Sequence, residues 1–201
     1  MTGKTNRLAY VLAETPRRLL RHTLCACYGV SRWHVASSIN KPYVSDVIGY
    51  LEASRPSTVV EIGCGFCDIL SHVRAARRRI GYDADPNVLR AARVYTRLKG
   101  AKVELAPLDF IQDKLPAVRA DAWVLINWLN EFAEEAVRPR LRELFGRLDP
   151  GGLIVLDTAT GAGYRHQHDV ERLFSGLPCA IRAISRDPDD HRTVFSVVKM
   201  A

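Results

Sequence analysis

The sequence predicts an α/β fold built on parallel strands. Residues 59–62 form a short run rich in β-branched side chains, which is typical of a buried strand. Gly63 and Gly65 follow, where the backbone can turn sharply and approach a ligand without a Cβ in the way. A helix-like stretch from about Asp68 to Arg79 and a second strand, Ile80 to Tyr82, come next. Strand, glycine turn, helix and strand in this order indicate an open sheet with a ligand site at its carboxyl edge.

Two carboxylates mark the ends of these strands. Glu61 lies in the first strand, and Asp83 ends the second, about 22 positions later, where it can accept hydrogen bonds from both ribose hydroxyls of a nucleoside. A dinucleotide fingerprint would need a third glycine three positions after Gly65, but that position is Asp68. The pattern therefore predicts a nucleoside cofactor and disfavours hydride chemistry.

The opening Glu61-Ile-Gly-Cys-Gly65 resembles the first motif of the class I S-adenosylmethionine-dependent methyltransferases. The resemblance continues from about Val59 to Lys199. It implies a Rossmann-like, seven-stranded, mostly parallel sheet with N-terminal cap helices and a C-terminal antiparallel hairpin, which we expect from Cys179 to Ile184 and from Thr193 to Met200. It also implies S-adenosylmethionine as the cofactor.

Four later segments carry the resemblance further. Residues 81–89 resemble the second motif, with Asp83 on the ribose and Asp85 capping a helix that begins at Pro86. Residues 108–110 resemble the third motif, residues 121–127 the fourth strand, and residues 148–156 a helix end, turn and fifth strand. The cofactor contacts that the resemblance implies are Glu61, Gly63, Cys64, Gly65, Asp83, Ala84, Asp109 at the adenine amino group, Phe110 on the ring, and Asn127 with Trp128 at the methionine end.

The cysteines depart from the family pattern at one position and form no metal framework. Cys67 replaces the family's third glycine, which narrows the backbone angles that the turn can adopt. The five cysteines are odd in number, and neither Cys25 with Cys27 nor Cys64 with Cys67 has a partner pair at zinc-site spacing. We therefore expect reduced, mostly buried thiols and no metal site.

Length and composition fit one core. The chain has 201 residues, of which 47% are hydrophobic, so we expect a helical cap or lid over residues 1–50 and one compact methyltransferase domain over residues 51–201. No segment approaches the roughly 20 apolar residues of a membrane span, and the first residues lack an apolar signal core. We expect a cytoplasmic protein.

The first hundred residues carry the positive charge, with 16 Lys/Arg against 7 Asp/Glu. Thr15-Pro16 is a plausible helix start, and residues 16–28 then form a basic amphipathic helix. One side carries Arg17, Arg18, Arg21 and His22, and the other carries Leu20, Leu24, Cys27 and Tyr28. The apolar side could pack on the domain, the helix could act as a lid, or its arginines could attract phosphate on a membrane surface, a nucleic acid or an anionic metabolite.

Other residues are candidates for the acceptor and for catalysis. Trp33, His34 and Tyr43 could contact a small acceptor. The cofactor is already an activated methyl donor, so a base is needed only where the acceptor must lose a proton. The candidates for that role are Glu131, which follows the fourth strand, and Tyr164 and His166, which lie in the loop after the fifth strand.

The sequence favours methyl transfer to a small or surface-displayed acceptor, with an anionic or sugar-containing metabolite preferred. Two alternatives stay open: a cofactor-binding partner subunit without turnover, and a methyltransferase for RNA or a phospholipid head group. We do not expect nucleic acid as the partner, because residues 127–130 lack the Asn/Asp-Pro-Pro-aromatic motif and no RNA-binding module is visible. The arginines at 74 and 77–79 are expected to end a helix, where they complement its carbonyl end.

Overall fold

The computed structural model describes residues 3–36, 41–161, 163–187 and 191–201, with side chains described from residue 16 onward. Within these residues, seven strands form one sheet in the order β3-β2-β1-β4-β5-β7-β6. The strands are β1 (Thr58–Ile62), β2 (Arg78–Asp83), β3 (Glu104–Pro107), β4 (Ala122–Leu125), β5 (Leu153–Ala159), β6 (Cys179–Asp187) and β7 (Arg192–Lys199).

The first five strands run parallel to one another, and β7 is the strand of the described sheet that runs in the opposite direction. β1 pairs in parallel with β2 and with β4, so the carboxyl ends of these three strands meet at one edge of the sheet. β7 pairs antiparallel with β5 and with β6, as the hairpin at the end of the sequence predicted. The predicted α/β fold, with a seven-stranded, mostly parallel sheet and a C-terminal hairpin, is confirmed.

Helices cover both faces of the sheet because the central strands are buried on both sides. Val59 and Val124 face one apolar cluster, while the neighbouring Val60 and Leu125 face the other. The helices are α1 (Gly3–Tyr28), α2 (Pro42–Ser54), α3 (Pro86–Leu98), α4 (Glu134–Gly146) and α5 (Val170–Leu173). Residues of α1, α2 and α3 lie in the first cluster, and residues of α4 and α5 lie in the second.

Helix α2 packs into the core. Its residues Tyr43 and Leu51 are completely buried in the first apolar cluster. Polar contacts tie the helix to the hairpin strands, because the Tyr50 hydroxyl donates to Ser196 Oγ at 2.9 Å and the Ser185 hydroxyl donates to the Asp46 carboxylate. The division of the chain at residue 50 stays a prediction.

Helix α1 differs from the expectation in its start and in its buried face. It begins at Gly3 and continues through Pro16, so Thr15 is not the first turn. Its buried residues include Arg21, Leu24 and Cys25, whereas Cys27 is exposed. These three buried positions are spaced by three and one, which is the spacing of one helical face. Contact of this helix with a membrane or another phosphate surface stays a prediction.

The predicted helix from Asp68 to Arg79 is wrong, because the structure has turns from about residue 65 to residue 72 and β2 already begins at Arg78. Helix-type backbone bonds occur only around one turn, where Ser71 donates to Cys67 and Val73 donates to Ile69. Beyond that turn the N–H groups bond to other elements: Ala75 donates to Glu52 Oε1 at 2.9 Å, and Arg77 donates to the Ser57 carbonyl at 2.9 Å. The arginines therefore do not cap a helix end. Arg78 instead pairs with Glu104 across β2 and β3.

Cys67 takes a left-handed backbone conformation at the start of these turns, with φ of +60°. A side chain there costs about 1–2 kcal/mol relative to the right-handed region, whereas glycine has no such cost. The structure thus uses cysteine in the geometry that a glycine adopts easily, and the thiol is fully buried.

We expect Cys67→Gly to be more stable than Cys67→Ala by about 0.5–1 kcal/mol, because relief of the left-handed strain exceeds the added entropy of the unfolded chain. Urea denaturation of both variants measures the difference. The same pair at Cys64, whose φ is not positive, is the control and should favour alanine. Alanine being preferred at both positions would contradict the strain at Cys67.

Candidate active site

A cavity of about 580 Å³ lies at the edge where β1, β2 and β4 end. Its volume is in the range of cavities that hold small molecules and cofactors. The cavity brings together nine of the ten predicted cofactor contacts. They are Glu61, Gly63, Cys64, Gly65, Asp83, Ala84, Phe110, Asn127 and Trp128. The segments that follow four strands therefore converge here, as the parallel pairing of β1, β2, β3 and β4 requires.

The glycine turn after β1 is held under a tryptophan. Gly63 and Gly65 have φ of +71° and +51°, and the Trp128 indole N–H donates to the Ile62 carbonyl at 2.7 Å. A Cβ on Gly63 would lie 2.5 Å from the indole ring. Gly63 is thus required by the packing of Trp128 as well as by the turn. Trp128 also meets Phe110 and Phe132 edge to face, with ring centroids 5.3 and 6.0 Å apart.

Asp83 connects the end of β2 to this turn. Its Oδ2 accepts the Gly65 N–H at 3.0 Å and its Oδ1 accepts the Asp85 N–H at 3.0 Å. Burial raises the pKa of Asp83, and the two backbone donors lower it in part. Each carboxylate oxygen keeps further acceptor capacity, since an ionised carboxylate has about four acceptor positions.

Glu61 is a buried carboxylate with an unsatisfied oxygen. Its residue is 5% exposed, and Oε2 has no hydrogen-bond partner in the part of the chain that the structure describes. Burial, followed by the nearby Asp68, raises the pKa of Glu61 well above its usual range. A buried carboxylate oxygen without a partner costs free energy, and a cationic ligand in the cavity would relieve that cost.

Asp109 is the one predicted cofactor contact that does not line the cavity. Its Oδ1 accepts the backbone N–H groups of Ile111 at 2.9 Å and Gln112 at 3.1 Å. The carboxylate therefore closes a local turn, and its neighbours Leu108, Phe110 and Ile111 form the cavity wall. The expected contact of Asp109 with adenine stays a prediction.

Arg21 connects helix α1 to the cavity, and the sequence placed it on the solvent side. Its residue is 3% exposed, and its Nη1 donates to Asp68 Oδ1 at 2.8 Å. Nε and Nη2 donate to the carbonyls of His34 and Ala36 at 2.9 and 3.1 Å. The guanidinium carbon lies 4.9 Å from the centre of the Phe66 ring. Its spacing from Leu24 and Cys25 was the signal in the sequence that could have revealed its burial.

Asn127 is fixed from two sides at the end of β4. Its backbone has φ of +76°, its N–H donates to Asp157 Oδ1 at 2.9 Å, and its Oδ1 accepts the Tyr43 hydroxyl at 2.6 Å. Asp157 in turn forms a buried ion pair with Arg192. Tyr43 was expected to contact an acceptor, but it is buried and holds Asn127 instead of lining the cavity.

Residues 59–152 match a family model described as a methyltransferase domain. The matched segment covers 94 of the 201 residues, and its description agrees with the predicted resemblance to the class I S-adenosylmethionine-dependent methyltransferases. The match thus supports the predicted family, and with it the predicted enzyme class and cofactor. A comparison with curated protein sequences finds no match.

Solved structures of similar fold include other methyltransferases. Magnesium protoporphyrin IX methyltransferase from Synechocystis PCC 6803 is 16% identical with a TM-score of 0.66, covering 84% of this chain and 85% of its own. An amino pentose methyltransferase from Micromonospora echinaspora is 14% identical with a TM-score of 0.62, covering 89% and 96%. Human N-acetylserotonin methyltransferase is 15% identical with a TM-score of 0.59, and the match covers 80% of this chain and about half, 52%, of the human enzyme. At these identities the likeness shows the fold.

Of the three candidate catalytic residues, one lines the cavity and two do not. Glu131 lines the cavity and is exposed. Tyr164 and His166 do not line it: the Tyr164 hydroxyl accepts from Arg192 at 3.4 Å, and the His166 N–H donates to the Asn130 carbonyl at 3.0 Å. Their loop packs beside the segment after β4, through the hydrogen bond from His166 to Asn130. Roles for these three residues in catalysis stay predictions.

Three further aromatic or imidazole side chains line the cavity. Trp33 and His34 line the cavity together with Phe132, and His34 stacks on Phe66 with ring centroids 5.9 Å apart. Sequence reasoning missed Phe132, which follows Glu131.

Across residues 3–36, 41–161, 163–187 and 191–201, no group of three His, Cys, Asp or Glu side chains is arranged to hold a metal ion. No helix in those ranges has the length and apolar character needed to cross a membrane.

Replacing Arg21 by methionine should destabilise the methyltransferase by about 3 kcal/mol, because Asp68 would remain buried without its cation. Urea denaturation measures the loss. In the double variant Arg21→Met/Asp68→Asn, part of the stability should return. Equal losses from the single and the double variant would show that the ion pair does not hold α1 to the turn.

The stability of the ligand-free protein should depend on pH through Glu61. The folded pKa is raised above the usual value near 4.5, so this carboxyl contributes stability that is fully present below about pH 4.5 and is lost as pH rises through the folded pKa. Glu61→Gln cannot titrate, so its stability relative to the native protein should increase from about pH 5 to about pH 8. Urea denaturation at both pH values measures this, and a constant difference would contradict it.

Proposed function

We propose that the protein transfers the methyl group of S-adenosylmethionine to a small acceptor in the cavity at the carboxyl edge of the sheet. The observation that carries the proposal is the convergence of Glu61, the Gly63–Gly65 turn, Asp83 and the aromatic rings of Phe110 and Trp128 on one space. These groups match the ribose, the base and the cationic end of this cofactor in chemistry.

The adenosine part fits the β2 and β3 side of the cavity. Asp83 is fixed by two backbone donors, so its remaining acceptor positions can receive both ribose hydroxyls. Leu108, Phe110 and Ile111 supply an apolar wall for the adenine ring. The guanidinium of Arg140 lies 5.6 Å from the centre of the Phe110 ring, and this contact helps to hold the ring in place.

The methionine part fits the β1 and β4 side. The cofactor carries a sulfonium and an ammonium group, and the partnerless Oε2 of Glu61 is a ready acceptor for the ammonium. Asn127 and Trp128 form the opposite wall, and both are fixed by hydrogen bonds to neighbouring strands. The activated methyl donor leaves this chain the tasks of orientation and exclusion of water.

The acceptor enters beside the exposed aromatic rings. Trp33 is 75% exposed and Phe132 is 36% exposed, and both line the cavity. Large apolar side chains exposed at the rim of a cavity are typical of a surface that a ligand covers. A small molecule can satisfy this arrangement, and so can a side chain displayed on a larger partner.

Calorimetric titration of the purified protein with S-adenosylmethionine, S-adenosylhomocysteine and NAD tests the proposal. We expect saturable binding of the first two and none of NAD, because the third glycine of a dinucleotide site is absent. Asp83→Ala should weaken both affinities about tenfold to a hundredfold through lost charge-assisted hydrogen bonds. Asp149→Ala, an exposed carboxylate outside the cavity, is the matched control and should bind as the native protein does.

Two results would overturn the proposal. One is the absence of binding of either sulfur-containing nucleoside to the native, folded protein. The other is an Asp83→Ala variant that keeps native affinity, provided that its thermal unfolding is still cooperative.

A further inference from the structure

The charged side chains that line the cavity are mostly acidic. Among the residues that the structure describes, four acidic side chains line it, those of Glu61, Asp68, Asp83 and Glu131, against the single guanidinium of Arg21, so acidic groups are in excess even without Glu61, whose pKa burial raises. Arg21 is already paired with Asp68. Burial lowers the pKa of the one lining histidine, His34, so its ring is neutral near pH 7. The cavity therefore has an excess of negative charge.

Three of these four carboxylates have an assigned partner. Glu61 and Asp83 face the cofactor under the proposed function, and Asp68 is held by Arg21. Glu131 is left, and it lies in the short 3-10 turn Leu129–Glu131 that follows β4. It is exposed at the rim, and its Oε1 accepts from the Asn130 amide at 3.3 Å.

The residues beside Glu131 at the rim are aromatic. Phe132 follows it directly, and Trp128 meets Phe132 edge to face. Trp33 is exposed and lines the same cavity. Aromatic walls combined with a carboxylate are suited to a cation or to a nitrogen donor on a flat body, because the ring faces carry negative electrostatic potential.

Basic side chains lie elsewhere. Arg18, His22 and Arg32 line a different groove between α1 and the 3-10 turn Arg32–Val35, and of its lining residues only Ala36 also lines the cavity. They do not face the acceptor side and cannot neutralise it. An anionic metabolite, which the sequence favoured, would meet Glu131 at the acceptor side, where no side chain in the described part of the chain other than Arg21 supplies a cation to the lining.

We infer that the acceptor is an amine on a flat, largely apolar body, that Glu131 receives its proton, and that Trp33 and Phe132 hold the body. This inference rests on the proposed function, because it assigns the acceptor for that same methyl donor. It replaces the preference for an anionic acceptor by one for a basic nitrogen.

Methyl transfer to a protonated amine requires that the nitrogen first lose a proton. A protonated amine first gives one proton to the Glu131 carboxylate, which frees the nitrogen lone pair. The nitrogen then forms a bond to the methyl carbon while the carbon–sulfur bond breaks, and that electron pair stays on sulfur as the neutral thioether. The products are the N-methylated amine, as its cation, and S-adenosylhomocysteine, and Glu131 releases its proton to water.

A matched pair of probes tests the charge preference. Tryptamine and indole-3-propionate share the ring and differ in an amine against a carboxylate, and each is titrated by calorimetry into protein saturated with S-adenosylhomocysteine. We expect tryptamine to bind about tenfold more tightly, since one contact is attractive and the other repulsive at a partly exposed site. Equal affinity, preference for the acid, or no binding of either probe would overturn the inference.

Variants then assign the preference to residues. Glu131→Gln should abolish most of the difference between the two probes, and Glu135→Gln, an exposed carboxylate on α4 outside the cavity, should keep it. Trp33→Ala should weaken both probes equally, and Leu98→Ala, an exposed apolar residue on α3, should weaken neither. A preference that survives Glu131→Gln would contradict the role of that carboxylate.

The two proposals fail separately. If the protein does not bind S-adenosylhomocysteine, the proposed function fails before any acceptor is tested. If it binds the nucleoside and then shows no preference for tryptamine, only the acceptor inference fails. Thermal unfolding of each variant confirms that a lost preference reflects the site and not the fold.

Discussion

The buried ion pair between Arg21 and Asp68 is the contact on which the arrangement of the site depends. Arg21 belongs to the first helix and Asp68 to the turns after β1, so the pair joins the N-terminal segment to the cofactor edge of the sheet. The remaining donors of Arg21 hold the carbonyls of His34 and Ala36, which places the segment carrying Trp33 against the cavity. A guanidinium is suited to this task because its donors form a rigid planar fork. The same contact thus positions both the turns after β1 and the segment that carries Trp33, which line the cavity.

The irregular backbone after β1 follows from the same constraint. A regular helix from Asp68 would direct its side chains by helical periodicity, whereas the turns aim Asp68 at Arg21 and let Glu52 and the Ser57 carbonyl receive backbone donors. Cys67 starts the turns in a left-handed conformation, and Gly63 and Gly65 precede it with the same sign of φ. Strain of this kind is maintained by surrounding packing, and it occurs most often near functional sites. The fully buried thiol of Cys67 supplies that packing here.

Much of the fold could be predicted because its signals are local. The β-branched run at Val59, the cap at Asp85 with Pro86, and the hairpin after Cys179 each carry their own pattern. The errors arose where tertiary contacts decide the outcome. Residues 68–79 have helical composition, but after one turn their N–H groups donate to Glu52 and to the Ser57 carbonyl. Arg21 was placed on the polar side of its helix because a charged residue is seldom buried. Tyr43 was expected at an acceptor because nothing in the sequence links it to Asn127, which is 84 positions away. Asp109 follows β3 as the sequence predicted, but its carboxylate accepts the backbone N–H of Ile111 and so closes a local turn.

The electrostatics of the cavity connect stability with ligand choice. Glu61 is buried with an unsatisfied oxygen, so the empty protein carries a cost that a cationic ligand removes. A ligand that binds only the folded state adds stability according to its concentration and affinity, and a cation opposite Glu61 adds a favourable term of its own. Under the proposed acceptor assignment, Glu131 at the rim extends the same sign of charge towards the acceptor. After transfer, the donor loses its sulfonium charge, so the attraction that favoured binding falls as the product forms. A negatively charged cavity therefore favours the charged donor over its neutral-sulfur product, which promotes exchange of one for the other after each turnover.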